Sequence, residues 1–132
     1  MTVDPRELAA IFLGGFAGAL ARAGVVEALP LTPGEWPWST FLVNVTGAFL
    51  LGAIITWVHE RRAAPPAYLP PLLGTGFCGA LTTFSALQLD VLGLLDAGRG
   101  GLAVVYALGS IAAGLAGVVL ASRMVRRLEA PA

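Results

Sequence analysis

The amino-acid sequence predicts an all-α integral membrane protein with four transmembrane helices. Three observations carry that prediction. Hydrophobic residues make up 57% of the 132 residues and charged residues only 12%, whereas a soluble domain carries about a quarter charged residues. So small a domain exposes too large a share of its surface to do without them in water. The apolar residues gather into four runs, each near the roughly 20 residues that a helix needs to cross a bilayer. Prolines, glycines and charges fall between the runs, and tryptophans stand at the ends of the second.

The first span runs from about Leu8 to Leu29 and stops at Pro30. It is too long for the core of a signal peptide and no clean cleavage site follows, so it is expected to be retained. Gly14 and Gly18 form a GxxxG pair of the kind that packs helices closely in lipid. Arg22, in its last third, either faces a hydrophilic path or snorkels toward an interface. The turn from Pro30 to Pro37 holds two further breakers, Pro33 and Gly34.

The second span runs from about Trp38 to Val58, with Trp36, Trp38 and Trp57 suited to the two interfaces. His59, Glu60, Arg61 and Arg62 mark a water-facing loop, and His59 reads as part of that loop rather than as a ligand. Pro65, Pro66, Pro70 and Pro71 lead to the third span, about Leu72 to Leu95. Here Gly74, Gly76 and Gly79, followed by Thr82, Thr83 and Ser85, are expected to weaken the helix at mid-span. Unwound backbone at that depth must be buried or line a wet cavity. The fourth span runs from about Gly101 to Ser122 and ends on Arg123, Arg126 and Arg127. Ser110 with Gly114, and Ala113 with Gly117, repeat the small-residue spacing. The 132 residues read as one four-helix domain.

An even number of spans places both termini on one side. That side holds Arg6, Arg61, Arg62, Arg123, Arg126 and Arg127, against Arg99 alone on the other. The positive-inside rule then puts the termini in the cytoplasm. All eight basic residues are arginine, which no motif explains. Zero net charge argues against nucleic-acid binding. The lone cysteine, Cys78, has no partner for an intrachain disulfide.

Residues 74–79 match the dinucleotide fingerprint G-x-G-x-x-G. A Pro-rich loop precedes them where the fingerprint needs a strand, so the match is a coincidence of glycines. No Ser-His-acid set, HExxH or paired carboxylate site is visible, and the chain is not expected to be an enzyme. Polar residues inside the spans need another reason. Arg22, Asn44, Gln88, Asp90, Tyr106 and Ser110 are costly in lipid and face protein or water. Together with a broken helix they suggest an ion path, since freed carbonyls and helix ends bind ions. The competing reading is a small proton-coupled multidrug-type exporter. Such exporters share a buried glutamate on the first helix, and this first span has none before Glu27.

The segments resemble the fluoride channel family called Fluc or CrcB. Residues 14–22 read like its G-G-x-x-G-A-x-x-R, and residues 40–47 like its T-x-x-V-N-x-x-G, continuing to Phe49 and Gly52. Residues 76–85 read like G-F-C-G-x-x-T-T-F-S, and Tyr106 and Ser110 keep a Y-x-x-x-S spacing. The likeness extends from about Ile11 to Ser122. It implies an antiparallel, dual-topology dimer in the cell's inner (plasma) membrane, surrounded by lipid, with two fluoride pores. It implies one structural sodium ion on the two-fold axis, held by backbone carbonyls of Gly79 and Thr82. The implied pore residues are Asn44 through its amide, Phe84 through its ring edge, and Tyr106 and Ser110 as a polar track. Thr83 at the break belongs with them, as does Leu87, which stands where the family usually has a second pore phenylalanine. A homodimer is favoured; the alternative is a pair with an oppositely oriented relative, which the six-to-one arginine count would suit.

Elementary chemistry agrees with the resemblance. Fluoride is small and strongly hydrated, so a pore must replace the water it strips. A full cationic cage would hold the ion too tightly, because conduction needs weak, repeated sites. Amides, hydroxyls and the positive edges of aromatic rings are graded donors. Fluoride enters cells as the neutral acid and ionises inside. The negative interior then drives it out, with about 2.3 kcal/mol per 100 mV, so passive export suffices.

Overall fold

A computed structural model describes residues 4–60 and 65–129. Among them all regular structure is helical: α1 (Pro5–Ala28), α2 (Trp38–Glu60), α4 (Phe84–Asp96) and α5 (Gly100–Glu129), with α3 between α2 and α4. We designate as α3 a π-helical segment, Pro71–Cys78, that runs directly into one α-helical turn, Gly79–Leu81. Four helical stretches are long and apolar enough to span a membrane, the third being α3 and α4 together. Arg61 and Arg62, which count toward the expected orientation, lie outside the described residues.

Local chemistry sets the helix ends. The Asp4 carboxylate accepts the Arg6 amide at 2.9 Å, and Pro5 stands at the first helical position, where a missing N–H costs nothing. Leu29 leaves helical geometry at φ −126°, ψ 71°, as expected before a proline. At the end of α4, Gly98 takes φ +72°. The Arg99 amide donates to the Leu94 carbonyl at 2.8 Å and the Gly98 amide to Leu95 at 2.9 Å. This paired closure needs the left-handed residue that glycine supplies, and it turns the chain into α5.

The helix of the fourth span continues beyond Ser122 to Glu129. No breaker intervenes, and arginine is a good helix former that also suits a helix C-terminus. Thr56 Oγ1 donates to Ser122 Oγ at 2.9 Å, and Arg126 pairs with Glu60 at 3.1 Å. The ion pair is exposed and contributes little, but both contacts join the same ends of α2 and α5.

Packing is organised as two helix pairs, α2 along α5 and α1 along α3, with α4 resting on α5. Small residues make both approaches close. A Cβ on Gly14 would overlap the Leu72 carbonyl, and one on Gly18 the Phe77 carbonyl. From the other side, a Cβ on Gly76 would stand 2.7 Å from the Ile11 carbonyl. On the second pair, a Cβ on Gly52 would stand 2.9 Å from Val118 Cα.

The α3 glycines therefore do not unwind the helix, as the sequence suggested. Gly76 lets α3 press on α1, and Gly79 itself is helical at φ −63°, ψ −35°. The interruption falls instead at two β-branched residues that favour extended backbone, Thr82 (φ −82°, ψ 155°) and Thr83 (φ −152°, ψ 118°).

Between 17% and 22% of each span's most apolar stretch is buried within the chain. Phe12, Phe16, Leu108 and Leu115 are each at least 60% exposed. Patches this extensive need lipid or another protein surface, and the spans imply contact with lipid.

The glycine contacts yield a paired prediction. Gly14→Val or Gly18→Val should lower the unfolding temperature in detergent sharply, since overpacking costs about 1–3 kcal/mol even where some relaxation is available. Gly24→Ala meets nothing within 4 Å and should be neutral or stabilising. Equal effects at the three positions would show that α1 does not rest on α3 as described.

Candidate functional site

The site is built where α3 ends and α4 begins. In a continuous helix each amide donates four residues back. The Thr82 amide still does so, to the Cys78 carbonyl at 3.1 Å, and Thr82 Oγ1 joins the same carbonyl at 2.9 Å. The Thr83 amide does not. It donates to Asn44 Oδ1 at 2.7 Å, while Asn44 Nδ2 donates to the Thr83 carbonyl at 3.0 Å. Thr83 Oγ1 then caps α4 by accepting the Ala86 amide at 3.2 Å, and lies 3.2 Å from Ser85 Oγ. The carbonyls of Gly79, Ala80, Leu81 and Thr82 thereby lose their regular helical donors. That of Gly79 loses the Thr83 amide, and that of Thr82 loses the Ala86 amide.

Helix α2 supplies the wall against which the break rests. Asn44 and Gly47 are three residues apart and so share a face. Asn44 reaches Thr83, and Gly47 leaves room for the Thr82 methyl, which a Cβ there would overlap. Asn44, Thr82, Thr83 and Phe84 line a cavity of about 230 Å³. The Phe84 side of it is open, with that residue 70% exposed. A neighbouring cavity of about 260 Å³ is lined by Arg22, Val26, Thr40, Val43, Thr83, Ser85 and Ala86. Thr83 borders both. Arg22 thus sits among hydroxyl groups, so the guanidinium has polar company within the helices.

The other expected site residues lie elsewhere in the chain. Tyr106 is fully buried and donates its hydroxyl proton to Asp90 Oδ2 at 2.9 Å. It forms a cluster with Leu94 and Ala103, and Leu87 packs against that cluster. Leu87 is partly buried there, whereas Phe84 is open. Ser110 is 6% exposed, one helical turn beyond Tyr106. Its Oγ and the Trp36 Nε1 are buried without a hydrogen-bond partner among the described residues. Trp36 stacks edge-on against Tyr106, with ring centroids 5.2 Å apart. One chain therefore gathers Asn44, Thr82, Thr83 and Phe84 at the break, and Leu87, Tyr106 and Ser110 between α4 and α5.

Sequence reasoning gave no role to Thr40, read Trp36 as interfacial, Ser85 as weakening the third span and Asp90 as one of the polar residues along a hydrophilic path, and named none of the four as a site residue. Asp90 and Ser85 carried a signal, being polar within an apolar run. Trp36 carried only the signal of an interfacial aromatic and instead covers a buried tyrosine. Among the described residues no three His, Cys, Asp or Glu side chains converge on a metal position. The break offers neutral oxygens, amide and hydroxyl donors, an aromatic edge and one guanidinium. Such groups bind and release small ions.

Comparison with known proteins agrees with this chemistry. Residues 9–122 match the family described as CrcB-like protein, Camphor Resistance (CrcB). The Mycolicibacterium paratuberculosis protein named Fluoride-specific ion channel FluC 1 is 52% identical over 126 residues, covering 96% of this chain and 95% of that one. Its namesake in Mycobacterium tuberculosis is 50% identical over 126 residues, with the same coverage. Fluoride-specific ion channel FluC 2 of Nocardia farcinica is 42% identical over 124 residues, covering 94% of this chain and 88% of that one. With the match running through all four spans, the chain belongs to the CrcB family.

Proposed function

We propose that this chain is a fluoride-selective channel that exports fluoride passively from the cytoplasm and so relieves its toxicity. The observation that carries the reading is the cavity at the break: Asn44, Thr82, Thr83 and Phe84 place polar groups and an aromatic ring together between helices that are otherwise lipid-soluble. The names of relatives at 50% identity and above support it. An eight-residue segment and a three-residue turn precede the break, and thirteen residues follow it. Such nearly equal halves support a break near mid-membrane.

Two copies assemble as an antiparallel homodimer in the inner membrane, each in the opposite orientation. The extensive exposed apolar surface leaves room for such a partner as well as for lipid. Fluoride meets Asn44, Thr83 and Phe84 on one part of its route, and Tyr106, Ser110 and Leu87 on another. The two cavities at the break include none of Tyr106, Ser110 and Leu87, and a second copy is what would bring both groups into one pore. The Tyr106 proton is committed to Asp90, which leaves Ser110 Oγ as the free hydroxyl of that track.

A structural sodium ion fits the break. The Gly79 and Thr82 carbonyls have lost their helical donors, and Gly79 lies at the exposed surface of the chain. Neutral carbonyl oxygens suit a hard cation, and carbonyls from two copies would bind one ion on the axis between them. When bound, the ion supplies a fixed positive charge that ties the copies together. The chain's own part is to hold those two carbonyls open.

Purified chain in liposomes should release fluoride rapidly with no proton gradient and pass little chloride. Proton-coupled release of an organic cation instead would end the channel reading. Phe84→Leu removes the aromatic edge and should slow fluoride release at least tenfold. Leu87→Phe should keep the fold and maintain or raise flux with altered anion discrimination; if flux and discrimination are both unchanged, Leu87 is a packing residue. Labelled termini should be found on both faces of the membrane, and a single orientation would require a different partner chain.

A further inference from the structure

Asn44 has more to do than meet an anion. Its side-chain amide has the geometry of a peptide group, one acceptor oxygen and one NH₂. The oxygen accepts the Thr83 amide at 2.7 Å and one N–H donates to the Thr83 carbonyl at 3.0 Å. Both polar groups of a single backbone residue are thus paired by one side chain from another helix, 39 positions away. Thr83 is the residue whose helical ladder is cut. Its N–H has no helical partner and, left unpaired, would cost several kcal/mol in hydrocarbon; its C=O, which as the N-cap carbonyl already accepts the first amide of α4, gains a second bond.

We infer that Asn44 is the positioning residue of the break, acting as a substitute peptide unit that holds Thr83 extended. Three consequences follow from the geometry. By taking the Thr83 amide, Asn44 keeps it from closing a helical turn onto the Gly79 carbonyl. By fixing Thr83, it sets the start of α4 and hence the direction of Phe84, the next residue. Only one Asn44 hydrogen remains for an anion, so the residue offers fluoride a single donor whose direction is fixed by the other two bonds. Gly47 supports the same device by admitting the Thr82 methyl against α2. The clamp itself stands on the hydrogen bonds; the single-donor consequence rests also on the fluoride reading.

The test is amide hydrogen exchange and side-chain NMR on the full chain in bilayers, first without fluoride. In the native protein the Thr83 amide should exchange slowly. Asn44→Ala should speed it at least tenfold while amides at the centre of α1 are unchanged. If that variant does not fold, Asn44→Asp serves: it keeps an oxygen for the Thr83 amide, so Thr83 should stay protected although the NH₂ is gone. Equal Thr83 exchange in native and Asn44→Ala protein, or loss of protection in a folded Asn44→Asp protein, overturns the clamp. Fluoride is then titrated into the native protein. One Asn44 NH₂ proton should shift and the other, held on Thr83, should not. Shifts of both protons overturn the clamp. If neither shifts while Thr83 stays protected, the clamp stands and Asn44 is removed from the fluoride path.

Discussion

A peptide group inside a membrane must find a partner within the protein, because lipid offers none. The structure turns on how that constraint is met at Thr82 and Thr83. A continuous third helix would satisfy every amide and leave no carbonyl free for an ion. An unsupported break would leave several groups orphaned. Here two of the displaced amides find replacements, that of Thr83 in Asn44 and that of Ala86 in the Thr83 hydroxyl, while Thr82 keeps its bond to Cys78. What remains unsatisfied is a short set of carbonyls and donors at one place. That remainder is what a channel needs, since weak and exposed polar groups bind ions without trapping them.

The tight packing elsewhere follows from the same requirement. Lipid tails are as apolar as leucine, so helix association in a membrane depends on close contact rather than on expulsion of water. Gly14, Gly18 and Gly76 bring the α1 and α3 backbones together, and Gly52 does so for α2 and α5. The break hangs between these pairs: α3 is fixed on α1, α4 rests on α5, and α2 reaches across with Asn44 and Gly47. A small displacement of α2 would therefore be felt at Thr83. Buried polar groups away from the break are handled pairwise, as with Tyr106 and Asp90. Two of them, Ser110 Oγ and Trp36 Nε1, have no partner among the described residues.

Much of this was legible in the sequence, because hydropathy and breakers act locally. The spans could be read from runs of apolar residues and from Pro30, Pro37 and the prolines before Leu72. The small-residue pairs announced close helix contacts, and the family resemblance placed Asn44, Thr83 and Phe84 in one pore, with Thr82 set apart beside Gly79 for sodium. The exact seat of the interruption was not legible. Glycine is the stronger breaker in isolation, yet Gly76 stays helical with α1 pressed against it, and Gly79 stays helical too. The threonines yield because Asn44 waits opposite. Pairings over long separations, Asn44 with Thr83 and Tyr106 with Asp90, leave no local pattern. The length of α5 beyond the apolar run was not legible, because arginine ends an apolar run without ending a helix.

The central claim is that fluoride crosses alone and passively. Its most direct test is the reversal potential of the current in a planar bilayer holding only this chain. With fluoride gradients and equal pH on both sides, the potential should move by about 59 mV for each tenfold ratio of fluoride, the one-charge value. Imposing a pH gradient at fixed fluoride ion concentrations should leave it unchanged. A reversal potential that follows the pH gradient, or one set by chloride, would contradict the account.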